Sequence, residues 1–330
     1  MARSSPLLAV PGMAEEMERV EAALLAAIRT EDPALTEMAG HLAHAGGKRW
    51  RPAMTVTAAS VGAGAPGLRV SDEVVLGGVS VELVHEGSLY HDDVIDEADT
   101  RHGVESVNAR WGNLSAILAG DFLLAKASEI AATLGTEVAG LLAATIGKLC
   151  EGEVRELRAA FDCGRAEEQY LSAIAGKTAC LFAAACRIGA LVADLPRADV
   201  EALTRYGQSY GMAFQIVDDV LDVIATEAEL GKPTGNDLAT GVYTLPVIRA
   251  LASPIEGPEL VDVLGRPLDR GDIDRARKLV RSQSAVDSAL DTAGDHVTEA
   301  VTALGALAPC PAVGHLAAAA TALLTALPPG

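Results

Sequence analysis

Apolar residues recur every three or four positions along most of this 330-residue chain, and this spacing predicts helices rather than strands. Longer helical segments are expected at 14–30, 72–98, 111–135, 137–161, 166–193 and 198–226, with shorter ones broken by proline or glycine over 246–327. No sequence stretch alternates convincingly between apolar and polar residues, and no linker separates two halves. We therefore predict an all-α fold, a single domain of residues 1–330 with its core at about 14–327.

The segment SLYHDDVIDEADTRHG, residues 88–103, concentrates carboxylates at the end of a mostly apolar predicted helix. Like charges one turn apart cost roughly 0.2–0.5 kcal/mol per pair. Carboxylates near a helix C-terminus also oppose its dipole, at about 0.3–1 kcal/mol each. Two explanations are open at this point: a bound cation compensates the charge, or the acidic face is simply solvated.

The same acidic unit occurs twice in the chain, as Asp92-Asp93-x-x-Asp96 and as Asp218-Asp219-x-x-Asp222. The first and last carboxylates of each unit are four positions apart, so they project from the same face of a helix. Each unit follows about three turns of mostly apolar residues, which places it on a core helix. A ligand set made only of carboxylates favours a hard cation, magnesium above all, with substrate phosphates completing its shell. The repetition favours a metal site over a solvated face.

The charge balance changes the picture of the substrate. The chain has 26 basic and 45 acidic residues, a net charge of −19, so its overall field repels nucleic acid and anionic membrane surfaces. An anionic substrate therefore needs local cations, which can grip phosphate as a guanidinium fork or as a lysine point charge. Breaks between predicted helices carry suitable groups, although each alone would be taken for a surface cation: Lys48, Arg51, Arg101, His102, Lys177 and Lys232. Thr178 and the amides around Gly176 are expected at a helix start, which favours anion binding.

Compartment and membrane association follow from cysteine usage and apolar runs. The five cysteines form no C-x-x-C pair, and their odd number is typical of a reducing compartment. The N-terminal segment lacks a continuous apolar signal region, and the apolar tail at 316–327 is too short to span a bilayer. We predict a cytoplasmic protein without stable membrane insertion.

Five motifs, in this order, resemble those of the trans-polyprenyl diphosphate synthases: GGKRWRP, ELVHEGSLYHDDVIDEADTRHG, GKTA, FQIVDDVLD and GKPTGNDLATGVYTLP. The resemblance covers about residues 14–327 and implies the isoprenoid synthase fold, a helical bundle around a deep central cavity, usually as a homodimer. It implies that isopentenyl diphosphate is added to an allylic diphosphate, farnesyl or geranylgeranyl diphosphate, with release of pyrophosphate. It also implies Mg²⁺ as the cofactor, with about three ions in each active site.

The resemblance assigns roles to individual positions. Metal ligation falls to Asp92, Asp96 and Asp218, with Asp93, Asp219 and Asp222 in support. The isopentenyl diphosphate site is matched by Lys48, Arg51 and His85, although a buried histidine alone would be taken for a core residue. The allylic diphosphate site is matched by Arg101, Lys177, Thr178, Gln215 and Lys232, of which Lys177 is also expected to be catalytic. Gln215 could otherwise be an ordinary buried amide.

Two positions depart from the family pattern. His102 stands where a second arginine is usual, and Val242 stands where the G-K-x-T motif has a lysine. We expect a partly charged His102 that still contributes to substrate binding but holds isopentenyl diphosphate less firmly. Loss of the lysine should reduce the redundancy of the allylic site without abolishing activity, because Lys232 remains.

Product length depends on the residues that precede Asp92 along its helix, where one turn rises roughly 5.4 Å. In short-chain members bulky aromatics at the fourth and fifth positions upstream form a floor, whereas this chain has Ser88 and Gly87 there, with the modest Val84 one turn further on. We therefore predict a medium- or long-chain product, in the range of about six to eight isoprene units. If Gly87 and Ser88 only allow close helix packing, the product would be geranylgeranyl diphosphate.

Two other classes of protein share part of this pattern. A non-catalytic subunit of a heteromeric prenyl synthase would agree with His102 and Val242, but such a subunit should lose costly carboxylates first, and both aspartate units are complete. A terpene cyclase also uses an aspartate cluster, but GGKRWRP and the second aspartate unit agree poorly with it.

Overall fold

The computed structural model describes residues 6–62, 69–226, 234–281 and 283–325. Short 3₁₀ turns lie at Pro6–Ala9 and Ser60–Gly62, a two-stranded hairpin is formed by β1 (Thr100–Arg101) and β2 (Val104–Glu105), and a π-helical segment covers Ala175–Ala179. The α-helices of the described residues are α1 (Met13–Ala27), α2 (Pro33–Ala45), α3 (Trp50–Ala59), α4 (Asp72–Ile95), α5 (Val107–Trp111), α6 (Asn113–Thr133), α7 (Thr136–Arg158), α8 (Glu167–Ile174), α9 (Cys180–Val192), α10 (Arg197–Ile224), α11 (Asn236–Thr240), α12 (Leu245–Leu251), α13 (Gly257–Val263), α14 (Arg270–Val280), α15 (Gln283–Leu304) and α16 (Pro311–Thr325). The predicted all-α fold is confirmed.

Helix α4 lies at the centre of the bundle and carries the first aspartate unit. Its sequence is apolar on nearly every side, so it packs against α3, α6 and α9 at once. Ser71 begins the helix by accepting a hydrogen bond from the amide of Val74. The helix ends at Ile95, a little earlier than the predicted segment 72–98, and Asp96 caps it by donating its amide to the carbonyl of Asp92. The first aspartate unit therefore spans the C-terminal end of α4, with Asp92 in its last turn and Asp96 at its cap.

Close helix packing brings the second aspartate unit towards the first. Helix α10, which carries that unit, packs along α9 and α15. A Cβ atom at Gly211 of α10 would lie 2.5 Å from the Cα of Ala179, and one at Gly189 of α9 would lie 2.2 Å from the carbonyl oxygen of Thr55. Only glycine permits these approaches, so α9 holds α10 and α3 at contact distance on its two sides.

One helical stretch, Glu167–Val192, is long and apolar enough by composition to cross a membrane. Of its most apolar 18-residue window, 78% is buried inside the protein. It comprises α8, the π-helical segment and α9, and it packs as a core helix of the bundle.

Candidate active site

The first aspartate unit divides its three carboxylates between two roles. Asp93 is fully buried and points to the hairpin, where the Nε and Nη2 atoms of Arg101 lie 2.7 and 2.6 Å from its Oδ1. Asp92 instead lines a cavity beside α4, and Asp96 lines a second, neighbouring cavity. The first and last carboxylates of the unit therefore face open volume, while the middle one anchors a loop.

The carboxyl group of Asp92 is held in an environment that disfavours its charge. Burial raises its pKa to about 7, and the neighbouring Glu153 and Asp96 act in the same direction. Lys177 and Arg101 oppose the rise. Burial likewise raises the pKa of Asp96, again against Lys177 and Arg101. An added cation at this position would remove the unfavourable interaction between the carboxylates.

In the second aspartate unit, the middle and the last carboxylate both accept hydrogen bonds from neighbouring groups. Asp219 accepts hydrogen bonds from the hydroxyl of Tyr170 at 2.5 Å and from the amide of Gln215 at 2.7 Å. Asp222 accepts from the backbone amides of Asn236 and Asp237, at 3.4 and 3.3 Å. Asp218 is half-buried beside them. In both units, a carboxylate that is expected to ligate the metal lies next to one or two carboxylates that are held by hydrogen bonds to the surrounding structure.

The π-helical segment joins the two aspartate units through Lys177 and Thr178. Lys177 forms ion pairs with Glu156 and with Glu153, the latter at 2.8 Å, and its charge acts on Asp92 and Asp96. Thr178 donates to Gln215 at 2.7 Å, and Gln215 in turn donates to Asp219. π-Helical turns inside α-helices are frequent at functional sites because they re-aim individual side chains.

The expected helix start at Gly176 and Thr178 is wrong. The chain passes from α8 through the π-helical segment into α9 without a break, and the amide of Cys180 is already bonded to the carbonyl of Ala175. The glycine serves close packing instead, since a Cβ atom at Gly176 would lie 2.8 Å from the carbonyl oxygen of Lys148. Lys177 and Thr178 therefore act at the site through their side chains. No helix begins at this point of the chain, so no helix N-terminus is available here to bind an anion.

Sequence reasoning missed several residues of this site. Glu153 and Glu156 lie on α7, and Glu156 interacts with Asp96 of the first unit and with Asp219 beside the second. Asp237 is a half-buried residue next to Asp222, and desolvation of its carboxyl together with its acidic neighbours raises its pKa well above the usual range. In the sequence, these glutamates are marked by two acids three positions apart next to a glycine, Gly152. A Cβ atom at Gly152 would lie 2.4 Å from the amide nitrogen of Lys177, so the glycine lets α7 approach the site.

The basic segment GGKRWRP, which runs into the first turn of α3, lies against α4. The guanidinium of Arg51 lies 4.6 Å from the ring of Phe182, and the ammonium of Lys48 lies 5.1 Å from the ring of Trp50. Burial and the nearby Arg51 lower the pKa of His85 well below its ordinary value, so this imidazole is neutral. These contacts orient the cations before any anion binds.

His102 lies closer to this loop than to the aspartates. Its ring hydrogen-bonds the backbone of Gly46, and burial together with Arg101 lowers its pKa. The expectation of a partly charged imidazole near neutral pH is therefore corrected, because the neutral form is favoured in the substrate-free protein. Lys232, the other cation expected at the substrate site, lies outside the described residues.

The cavity below Asp92 has a volume of about 260 Å³ and is mostly apolar. Ser88 faces it from α4, Leu124 from α6, and Ile146 and Leu149 from α7. Gly87 does not line the cavity, although the sequence argument placed it at the same level as Ser88. A Cβ atom at Gly87 would lie 3.1 Å from the carbonyl oxygen of Gly120. Val84 is also fully buried within the packed core. Gly87 therefore allows α4 to pack closely against α6, whereas Ser88 lines the cavity.

Val242 lies in the neighbouring cavity, which also measures about 260 Å³. Four carboxylates line it with Val242, those of Asp96, Glu97, Glu153 and Glu156. A lysine at this position would have supplied a cation to an acidic pocket. Lys177, paired with two of these glutamates, is the nearest compensating charge in the part of the chain that the structure describes.

A hard divalent cation agrees with this donor set. Among the described residues no three carboxylates, histidines or cysteines converge as a preformed metal cage. Mg²⁺, however, is usually held by one or two carboxylates together with waters and substrate phosphates. The oxygen-only donors of Asp92 and Asp96 and the raised pKa of Asp92 are consistent with such a partly open site.

Comparison with known proteins shows what this arrangement is similar to. The family model described as polyprenyl synthetase matches residues 32–280. The chain is 38% identical over 304 residues to nonaprenyl diphosphate synthase of Mycobacterium tuberculosis, covering 91% of this chain and 89% of that one. It is 40% identical over 289 residues to heptaprenyl diphosphate synthase component 2 of Geobacillus stearothermophilus, covering 85% and 88%.

Solved structures show the same fold. The crystal structure of a polyprenyl synthase from Caulobacter crescentus, complexed with calcium and isoprenyl diphosphate, superposes with a TM-score of 0.89 at 33% identity. The superposition covers 98% of this chain and 99% of that one. The similarity therefore extends through both aspartate units and the helices that carry them.

Proposed function

This chain belongs to the polyprenyl synthetase family, and we propose that it condenses isopentenyl diphosphate with farnesyl or geranylgeranyl diphosphate, giving an all-trans polyprenyl diphosphate and pyrophosphate. One observation carries the proposal: the π-helical segment connects the two aspartate units, with Lys177 acting on Asp92 and Asp96 and Thr178 bonded through Gln215 to Asp219, beside an apolar cavity that Lys177 lines. Relatives named as nonaprenyl and heptaprenyl diphosphate synthases support it. The reaction needs anion binding at the rim and an apolar volume below, and this site provides both.

The allylic diphosphate is proposed to bind at the rim, between the two aspartate units. Asp92, Asp96 and Asp218 would hold Mg²⁺, about three ions per site, which neutralises the charge of the leaving diphosphate. Asp93, Asp219 and Asp222 support this arrangement through the hydrogen bonds described above. Arg101 and Lys177 would bind the phosphate oxygens, and Thr178 with Gln215 orients Lys177's segment against α10.

The cavity below Asp92 protects the cationic intermediate. When the allylic carbon–oxygen bond breaks, the prenyl cation lies among Leu124, Ile146 and Leu149, where water is excluded and quenching to an alcohol is suppressed. The terminal alkene carbon of isopentenyl diphosphate then attacks the cation, which forms the new carbon–carbon bond and leaves a tertiary cation; a proton lost from the carbon adjacent to that cation passes to the departing pyrophosphate and restores a double bond. The lengthened prenyl chain occupies the same cavity in the next cycle.

Isopentenyl diphosphate is proposed to bind at Lys48, Arg51 and His85, where the start of α3 packs against α4. The neutral His85 can donate one ring N–H to a phosphate oxygen, while the two cations contribute charge. His102 adjoins this loop through Gly46 but supplies no full charge. The site therefore has two fixed cations where the family pattern suggests three.

Replacing His102 by arginine is expected to strengthen binding of isopentenyl diphosphate. A guanidinium adds a permanent charge and a bidentate donor next to the loop, so the Michaelis constant for this substrate should fall about three- to tenfold at pH 8. Steady-state kinetics with each substrate varied in turn provide the measurement. A His102→Gln variant is the control, since it keeps a neutral donor. An unchanged constant in the arginine variant would exclude His102 from this site.

The product is proposed to be of medium or long chain, about six to eight isoprene units. Ser88 leaves the upper part of the cavity open, and several similar proteins carry heptaprenyl to nonaprenyl names. Purified protein, Mg²⁺, labelled isopentenyl diphosphate and farnesyl diphosphate, with products sized by reversed-phase chromatography, test both reaction and length. A product no longer than geranylgeranyl diphosphate would establish the short-chain alternative, and no elongation would refute the proposed function.

A homodimer is proposed on the basis of an exposed apolar face. Leu114, Ile117 and Leu118 of α6 are 72, 41 and 54% exposed, and Val154 of the adjacent α7 is 47% exposed. Contiguous exposed apolar side chains of this size indicate a protein interface. A second copy of the same chain would cover this face on both subunits. We propose that this dimer acts in the cytoplasm.

Replacing Leu118 by glutamate is expected to convert the dimer into monomers. A charge on each subunit would be buried without a partner in the interface, which costs several kcal/mol. Size-exclusion chromatography with light scattering gives the mass directly. Ile255→Glu is the matched control, because Ile255 is 81% exposed on another part of the surface. A dimer that persists in the Leu118 variant would exclude this face as the interface.

A heteromeric enzyme is the second candidate, because one relative at 40% identity is named component 2 of a heptaprenyl diphosphate synthase. Under this alternative the exposed α6 face would bind a different subunit. The same elongation assay separates the two cases. Activity of the purified chain alone supports the homomeric enzyme.

A further inference from the structure

Arg49, which follows Lys48 and caps the helix α3 that carries Arg51, ties this part of the chain to α4. Its guanidinium is only 9% exposed and its backbone adopts the left-handed conformation, with φ of 47°. The Nη1 atom donates to Glu82 at 2.9 Å and to Glu86 at 2.8 Å. Glu21 of α1 accepts from Nε at 3.0 Å, so one side chain holds the loop to two helices.

The acceptors of this contact are themselves buried. Glu82 and Glu86 are 3 and 1% exposed, and they lie one turn apart on α4. Two buried carboxylates converge on a single donor nitrogen, and the Oε2 atom of Glu86 has no hydrogen-bond partner among the described residues. Removing Arg49 would leave these acids without their shared cation, a change that is strongly unfavourable in a protein interior. The loop is therefore tightly tethered at this point.

The position of the tether relates it to the proposed substrate site. His85 lies between Glu82 and Glu86 in sequence on α4. Lys48 directly precedes Arg49, and Arg51 follows it by two residues in the first turn of α3. The three groups proposed to bind isopentenyl diphosphate thus belong to the two segments that Arg49 joins. Moving the loop relative to α4 would change the separation of Lys48 and Arg51 from His85.

We propose that Arg49, held by Glu82 and Glu86, is a positioning residue that sets the geometry of the isopentenyl diphosphate site. Arg49 is directed into the protein by its four contacts, the fourth being the carbonyl of Ala43 at 3.2 Å, and does not itself bind the substrate. The inference rests on the proposed function and adds a residue responsible for the affinity of one of its two substrates.

The test is a separate measurement of both Michaelis constants in an Arg49→Lys variant. Lysine keeps the charge but cannot reach Glu82, Glu86 and Glu21 together. The constant for isopentenyl diphosphate should rise about tenfold, while that for farnesyl diphosphate stays within about twofold of wild type. Arg187→Lys is the matched control, because Arg187 also pairs with two glutamates, Glu137 and Glu201, but joins helices away from the loop. It should leave both constants unchanged.

A second variant keeps the test informative if Arg49→Lys folds poorly. The double variant Arg49→Lys, Glu86→Gln removes one buried carboxylate and is expected to recover thermal stability while the constant for isopentenyl diphosphate stays raised. Recovery of both, or an equal rise for both substrates, would show a purely structural role and overturn the inference. If the wild type is active and both Michaelis constants are unchanged in Arg49→Lys, this inference is wrong and the proposed function stands. Wild type that elongates no substrate would overturn the proposed function and this inference with it.

Discussion

Replacing Asp92 by asparagine is expected to lower the rate of prenyl elongation about a thousandfold or more, because the amide keeps the shape but cannot hold a divalent cation against the leaving diphosphate. Asp92 faces the cavity, whereas the adjacent Asp93 is used by Arg101. The measurement is incorporation of labelled isopentenyl diphosphate over a range of Mg²⁺ concentrations. High Mg²⁺ should not restore the rate, since the ligand itself is missing.

The same substitution should leave the fold intact. Burial raises the pKa of Asp92 from its usual 3.8 to about 7. Between the usual value of 3.8 and about 7, this carboxyl is ionised in the unfolded chain but protonated in the folded protein, so wild-type stability falls as pH rises through this range, and the loss is complete above it. A neutral amide removes this loss. At pH 8 without metal, the melting temperature of Asp92→Asn should be equal to or above that of wild type.

Asp99→Asn is the matched control for this prediction. Asp99 belongs to the same acidic run but is exposed, beyond the end of α4. Its substitution should change the rate by less than about twofold. Near wild-type elongation by Asp92→Asn would remove the first aspartate unit from the reaction.

The periodicity of the chain predicted the helices because each long helix buries an apolar face, which leaves a regular signal. The two aspartate units were predicted for a similar reason: acids at the end of an apolar helix are costly, and their spacing sets the face they share. Both signals are local. They are readable without knowing which helices become neighbours.

The remainder of the site depends on contacts between segments distant in sequence. Glu156 interacts with both aspartate units only because Gly152 allows α7 to approach Lys177. The π-helical turn at Lys177 replaces the predicted helix start, and no glycine or proline pattern distinguished the two. The pairing of Arg49 with Glu86 likewise joins segments that are far apart in sequence. These roles depend on which helices pack together, and the local pattern of apolar and polar residues does not show that.

Gly87 and Ser88 show this limit within one helical turn. Sequence position alone gave both the same role, because each lies about one turn before Asp92. In the structure the Cβ direction of Gly87 meets the backbone of α6, at 3.1 Å from the carbonyl oxygen of Gly120. Ser88 is rotated by one residue and faces the cavity. Only Ser88 can therefore carry a side chain that blocks the growing prenyl chain without displacing a helix.

Replacing Ser88 by phenylalanine is consequently expected to shorten the product to about fifteen to twenty carbons, because the ring would fill the cavity beside Leu124 and Leu149 one turn, roughly 5.4 Å, below Asp92. The serine hydroxyl bonds only to the backbone carbonyl of His85, so its loss should cost little stability. Product length is measured by reversed-phase chromatography with farnesyl diphosphate as the primer.

Gly87→Ala provides the contrasting control for the Ser88 prediction. Its added methyl group presses on α6 and should lower the melting temperature while leaving product length unchanged. The two variants differ by one position and separate blocking of the cavity from disturbance of the helix contact. A full-length product from Ser88→Phe, or a shortened one from Gly87→Ala, would show that chain length is limited elsewhere along the cavity, and the role of Ser88 would be wrong.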